Sequence, residues 1–281
     1  MNKIATILLC ILCFACNKTN SDNPEDENNN NNNEIGSGQP GVVGTAGVTT
    51  WDLLADAEKN RIKGWNTLFL HQSVGQDLEE GCKANGFAWE YYGNGDKVNK
   101  GLMGGIFVDV GNIANGNPYE KIRVFKEQIL NSKEEVKIGV FKFGYADIDD
   151  ENYSRVETAY KKMVEELKSG INGFRMVHVT PPLVFSVEPY DGNGARMKVG
   201  QWMKTTFAGN DVIFDLQALE SNDGACQING VWHICAENRN SASDPSDVNG
   251  VDTSPGQGHI GKKAGQRIAK ALLMSMYNSG K

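Results

Sequence analysis

Leu68-Phe69-Leu70-His71-Gln72-Ser73-Val74-Gly75 is the stretch on which the reading of the fold turns. Its apolar start has strand character, the run stops at a histidine, and a serine follows two residues later. Gln76-Asp77-Leu78-Glu79-Glu80 then reads as the first turns of a helix. Strand, serine and helix in that order hold a hydroxyl at the C-terminal edge of a sheet and under a helix N-terminus. Backbone N–H groups there are able to stabilise a negatively charged oxygen.

The elements on either side alternate. Thr49 or Thr50 caps a short helix over Trp51 to Arg61, Asn66 to Leu70 is the first strand, and Ser73 opens a helix toward Gly81. Ala88 to Tyr92 reads as a short strand, and Gly105 to Val110 as a strand or extended loop ending at Gly111. Asn117 is an N-cap, Pro118 stands at the first helical position, and Glu120 completes a capping-box-like pattern ahead of Ile122, Phe125 and Ile129. Val136 to Phe143 is a strand that ends at Gly144-Tyr145-Ala146-Asp147. Over Tyr153 to Lys168, Val156, Ala159, Tyr160, Met163, Val164 and Leu167 form one apolar stripe, and Gly170 marks the stop. Phe174 to Val179 is a strand halted by Pro181-Pro182. Arg196 to Phe207 reads as a helix, Val212 to Leu216 as the last strand, and Ile260 to Tyr277 as a closing amphipathic helix. Such alternation predicts an α/β sandwich, a parallel sheet covered on both faces. In such sheets ligands bind at the C-terminal strand ends. Ser73, Gly111, Asp147 and His178 with Thr180 fall there.

Residues 48–281 fit one domain of about 235 residues, because no linker interrupts the alternation. What precedes it has a different composition. Ile4 to Ala15 is an apolar run of twelve residues behind Lys3, too short to span a bilayer and suited to a signal-peptide core, so residues 1–15 are expected to be removed. Leu12-Cys13-Phe14-Ala15-Cys16 resembles a bacterial lipobox with cleavage before Cys16 and lipid on its sulfur; an ordinary signal peptide cleaved nearby is the alternative. Residues 16–47, with Glu25-Asp26-Glu27 and the asparagine run Asn28 to Asn33, offer almost nothing to bury and read as a flexible tether. The expected location is the cell envelope, the outer membrane or surface of a Gram-negative bacterium, with membrane contact through the N-terminal lipid alone.

A net charge of −7 without a basic cluster argues against a nucleic-acid partner. Cys226 and Cys235, nine residues apart in a Gly/Asn-rich loop, suggest a local disulfide, against the alternative of two free thiols. With Cys10 and Cys13 expected to leave with the signal and Cys16 to be lipidated, the remaining Cys82, Cys226 and Cys235 contain no Cys-x-x-Cys pair, and the chain has no His-Glu-x-x-His helix, so no metal and no cofactor is expected. Thirty-two glycines, several in runs such as Gly93-Asn94-Gly95-Asp96, point to long loops.

A serine nucleophile needs a base. Of the four histidines, His71 lies too close in sequence to reach the Ser73 hydroxyl but could line the site. His178 lies on a strand, either as a core histidine or at the site, and His233 falls in the cysteine-bounded loop. His259 follows the loop Ser254-Pro255-Gly256-Gln257-Gly258 and directly precedes the closing helix, which makes it the best base.

The order of blocks resembles the SGNH/GDSL hydrolase superfamily, and within it a subgroup whose serine block reads His-x-Ser-Val-Gly-Gln. His71-Gln72-Ser73-Val74-Gly75-Gln76 is close to that block. Gly111 through Asn115-Gly116-Asn117-Pro118 resembles a second, and Lys142-Phe143-Gly144-Tyr145-Ala146-Asp147-Ile148 a third. Val177 to Leu183, Asp215-Leu216 with Glu220-Ser221, and Gly258-His259-Ile260 with its helix resemble the rest. The resemblance spans about residues 66–277. It implies a flavodoxin-like three-layer α/β/α sandwich with Ser73 as nucleophile and His259 as general base. The Ser73 and Gly111 N–H groups and the Asn115 side chain would form the oxyanion hole, with Asp147, His71, Tyr145 and His178 lining the site. Where the family has an aspartate three residues before the histidine, this chain has Gly256; Asp252, seven before His259, or a backbone carbonyl would have to replace it. Residues 144–147 also lack the asparagine of the family's usual Gly-x-Asn-Asp block.

These readings lead to the expectation of a monomeric serine esterase that removes O-acetyl or similar acyl groups from a glycan or small molecule. The alternative is a catalytically impaired glycan-binding or scaffold lipoprotein of the same fold, and a weaker one is an acyltransferase.

Overall fold

The computed structural model describes residues 34–187, 191–240, 247 and 258–281. Its centre is a seven-stranded sheet whose strand pairs are all parallel. The strands are β1 (Gly41–Val43), β2 (Thr67–His71), β3 (Glu90–Tyr91), β4 (Leu102–Ile106), β5 (Ile138–Phe141), β6 (Arg175–Val179) and β7 (Val212–Phe214), in spatial order β1-β7-β6-β5-β2-β4-β3. The five inner strands, counted from β2 along the chain, follow the 2-1-3-4-5 order of flavodoxin-like sheets. β1 and β3 extend the two edges.

Helices cover both faces, making the three-layer α/β/α sandwich expected. On one face lie α1 (Thr45–Leu53), α3 (Val74–Ala84) and α9 (Lys262–Gly280), which pack with Phe69, Val140, Val179 and Phe214 of the sheet. On the other lie α5 (Pro118–Asn131), α6 (Tyr153–Gly170) and α7 (Asn193–Phe207), which cover Leu68, Leu70, Phe141 and Ile213. Successive strand residues thus enter opposite cores, as the two-residue period of a strand requires. β2 is buried at all five positions, which is why it reads as a continuous apolar run.

Several boundaries differ from the sequence reading. The helix expected over Trp51 to Arg61 is two: α1 starts earlier, at Thr45, and extended backbone at Leu54 and Ala55 separates it from α2 (Asp56–Asn60). The run Gly105 to Val110 is not a strand to its end. β4 stops at Ile106, and α4 (Phe107–Gly111) follows, burying Phe107 and Val110 one turn apart while Val108 stays exposed. Asp215 ends β7 by accepting the Ala218 N–H and opening α8 (Leu216–Glu220). Folded structure is also present well before residue 48. Gly41–Val43 pairs with β7, and the N–H groups of Gly36, Gly38 and Gln39 donate to carbonyls of Gly280, Lys281 and Asn278. Residues 36–43, inside the segment read as tether, are therefore part of the folded chain, because backbone pairing at a sheet edge needs no apolar side chains. No helix among the described residues is long and apolar enough to cross a membrane.

Candidate active site

β2 has β5 on one side and β4 on the other, so the chain leaves it in one direction and later returns in the other. That switch opens a crevice at the C-terminal strand ends, and Ser73 stands there between β2 and α3. Ser73 is the N-cap of α3, yet its hydroxyl caps nothing. Its backbone, at φ 56 and ψ −114, lies in a region that L-residues avoid. Such a conformation costs on the order of 1–3 kcal/mol and persists only where the surroundings impose it. The turn is tight enough that a Cβ on Gly75 would stand 2.2 Å from the His71 Cβ, so position 75 admits only glycine.

The far end of the chain reaches this turn through helix packing. α3 and α9 approach closely at two glycines: a Cβ on Gly81 would lie 2.3 Å from the Gly265 carbonyl oxygen. His259 directly precedes α9 and is carried with it. Its Nε2 lies 2.7 Å from Ser73 Oγ, and its Nδ1 lies 3.0 Å from Asp77 Oδ2. The same Asp77 oxygen accepts the Ile260 N–H at 3.0 Å, which fixes the backbone beside the imidazole. Asp77 is fully buried and His259 nearly so. An ionised carboxylate only accepts, so Nδ1 carries the proton and Nε2 is left with its lone pair toward the serine. The arrangement is a hydrogen-bonded Ser–His–Asp chain, able to take a proton from the serine and hold the resulting imidazolium.

No family model matches the chain, and no curated protein matches it in sequence.

Asp77 is the residue that the sequence reading missed. It lies four residues after Ser73, one helical turn along α3, so the two share a helix face. Asp252 and Gly256 lie outside the described residues, as does Cys16; the position beside His259 Nδ1 is occupied by Asp77.

Of the expected oxyanion residues, Gly111 ends α4, where helical geometry turns an N–H back toward the carbonyl four residues earlier. It is therefore not presented as a free donor. Among the described residues, the Ser73 N–H is used in none of the loop and cap hydrogen bonds. Asn115 takes Lys121 Nζ on its Oδ1 at 3.3 Å, which leaves its amide N–H groups to donate elsewhere. Asp147 does not line an open site. It is fully buried and saturated: Lys121 Nζ lies at 2.7 Å, and it accepts the N–H groups of Gly144 and Gly116. Burial lowers the pKa of Lys121, and the Asp147 carboxylate acts against that shift. This pair ties α5 to the turn after β5 and holds Asn115 in place.

His71 is also buried away from the crevice. Its ring packs 4.5 Å from that of Phe69, and Nε2 sits 2.9 Å from Glu79 Oε1 without hydrogen-bond alignment. His178 belongs to the opposite core, stacked on Phe207 and bonded through Nδ1 to the Tyr160 hydroxyl at 2.9 Å; burial lowers its pKa. Both are core histidines. Tyr145 does stand near the site. It lines a cavity of about 360 Å³ with Ile148, Val184 and Arg196, and a Cβ on Gly258, the residue before His259, would lie 3.4 Å from its ring. Arg196, buried, donates from Nη1 to the Tyr145 carbonyl at 2.6 Å.

Two buried titratable side chains that sequence reasoning did not single out, Lys142 and Glu220, lie nearby. Burial lowers Lys142 to about 8 and raises Glu220 to about 8. In sequence Lys142 falls inside the strand read over Val136 to Phe143 and Glu220 beside Ser221 in one of the resembling blocks, and neither carries a role there.

Cys226 and Cys235 form a disulfide that brackets the hairpin β8 (Gln227–Ile228) and β9 (Val231–Trp232). They and Glu237 are the one group of side chains close enough to share a metal among the described residues, and the disulfide occupies both sulfurs. A larger cavity, about 720 Å³, is walled by α7 and this hairpin rather than by the loops around Ser73.

Proposed function

We propose that the protein is a serine esterase in which Ser73 is the nucleophile, His259 the general base and acid, and Asp77 the group that orients and charges the histidine. The observation that carries this reading is the continuous chain from Ser73 Oγ through His259 to Asp77. The Ser73 oxygen attacks the acyl carbon while its proton passes to His259 Nε2, and Asp77 stabilises the imidazolium. The oxyanion that forms is met by the Ser73 N–H at the start of α3, with the Asn115 amide as a second donor; each such donor is typically worth about 3–4 kcal/mol. Collapse releases the alcohol, which takes the proton back from His259. Water then repeats the sequence on the acyl-serine.

The ordered blocks, the flavodoxin-like strand order and the terminal histidine together support placement in the SGNH/GDSL superfamily. The alternative of an impaired member rested on the empty position three residues before His259, and Asp77 supplies the missing acid from another element. Acylated glycans are the substrate class proposed, and a lipid anchor at Cys16 would put the domain at the cell envelope. The test is turnover of a chromogenic acetate ester together with fluorophosphonate labelling of the purified protein. Both should be lost in Ser73→Ala; equal turnover by wild type and Ser73→Ala would sink the esterase reading.

A further inference from the structure

Lys142 immediately follows β5, the strand beside β2, and its side chain is completely buried. Nζ donates to the Phe143 carbonyl at 3.0 Å and to the Gln72 carbonyl at 3.4 Å. No carboxylate lies within ion-pairing distance of it among the described residues. The titratable groups around it are Lys121 of α5, Glu220 of α8, Asp147 of the turn after β5 and Asp77 of α3, all acting at longer range. Burying an ammonium without a partner is costly, and an apolar side chain of the same length would fill the space without that cost. Stability therefore does not account for a lysine here. Its contact with Gln72 does suggest a reason. The Gln72–Ser73 peptide is trans, so the Ser73 N–H points opposite to the carbonyl that Lys142 holds. The Gln72 carbonyl also accepts the Gly75 N–H at 3.2 Å, which makes Lys142 the second of two clamps on that peptide plane.

We propose that Lys142 is a positioning residue of the oxyanion site: its ammonium locks the Gln72–Ser73 peptide so that the Ser73 N–H faces the reacting carbonyl, and it sets a positive charge beneath the developing oxyanion. This rests on the esterase reading of Ser73. The charge is present only while Nζ is protonated, and burial brings its deprotonation down to about 8. Activity that depends on the charge falls as pH rises through that value.

The experiment measures kcat and KM on a chromogenic acetate ester, and the rate of fluorophosphonate labelling at Ser73, from pH 6 to 10 in wild type, Lys142→Met and Glu220→Gln. Wild type should show an alkaline limb near pH 8 in both kcat and labelling, and Glu220→Gln should keep that limb. Lys142→Met should melt no lower than wild type, lose at least about tenfold in kcat at pH 7 with KM within about twofold, and lack the limb. A wild-type profile that stays flat through pH 9 overturns the proposal whether or not Lys142→Met folds. So does a limb that vanishes in Glu220→Gln, or labelling of Lys142→Met at the wild-type rate. Failure of wild type to label at any pH is a different result, because it removes the esterase reading itself.

Discussion

At the scale of single residues, Ser73 and Asp77 carry the most specific expectations. Asp77→Asn keeps the shape of the side chain but lets its amide oppose the Nδ1 proton, which favours the wrong imidazole tautomer. We expect kcat to fall by about 10⁴-fold with an unchanged circular dichroism spectrum. Asp252→Asn, assayed beside it, should stay within about twofold of wild type; the reverse pattern would move the acid to Asp252. The serine also holds strain. Ser73→Ala and Ser73→Gly both remove the hydroxyl and its bond to His259, but only glycine relaxes at φ 56. Ser73→Gly should therefore be more stable than Ser73→Ala by about 1 kcal/mol in urea unfolding. Equal midpoints would mean that the turn is not strained.

Elements bring these residues together. Asp77 sits on α3 and His259 at the start of α9, and their meeting depends on how closely the two helices pack. The Cβ that Gly81 lacks would collide with backbone at Gly265, which no side-chain rotation relieves. Gly81→Ala should cost about 1–3 kcal/mol in thermal unfolding. It should also lower kcat at temperatures where the variant is fully folded, because α9 must move outward and takes His259 with it. Normal kcat in a destabilised Gly81→Ala would uncouple the helix contact from the site. On the other side of β2, the buried Lys121–Asp147 pair plays the corresponding part for the loop that carries Asn115.

Across the whole molecule, the loops at the C-terminal strand ends enclose charge as well as chemistry. Glu220 is fully buried, with one oxygen on the Leu183 N–H and the other without a partner among the described residues, and burial raises its pKa from 4.5 to about 8. Between those values the folded protein keeps a proton that the unfolded chain has released. Stability from this group is thus complete below about pH 4.5 and is lost as pH rises toward 8. Urea midpoints at pH 5 and pH 8 should differ less in Glu220→Gln than in wild type. A pH dependence unchanged by the substitution would show that Glu220 is not the group responsible.

Much of the architecture can be read directly from the chain. The continuous apolar run before His71, the stripes of the helices over 118–131 and 153–170, and the glycine and proline stops report local periodicity, and periodicity specifies elements and their alternation. From the same local pattern come the serine at the end of a central strand and the histidine ahead of the last helix. The break between Leu53 and Asp56, the helix at Phe107–Gly111 and the edge strand at Gly41–Val43 are not legible in that way, because packing and edge pairing outweigh local preference there. The acid partner is the clearest case. Sequence order directs attention to the loop before His259, whereas the three-dimensional fold uses Asp77, some 180 residues away, because α3 and α9 cross at two glycines. Which carboxylate faces an imidazole, and which lysine lies under a peptide, depends on distances between elements. Those distances are fixed only when the layers pack.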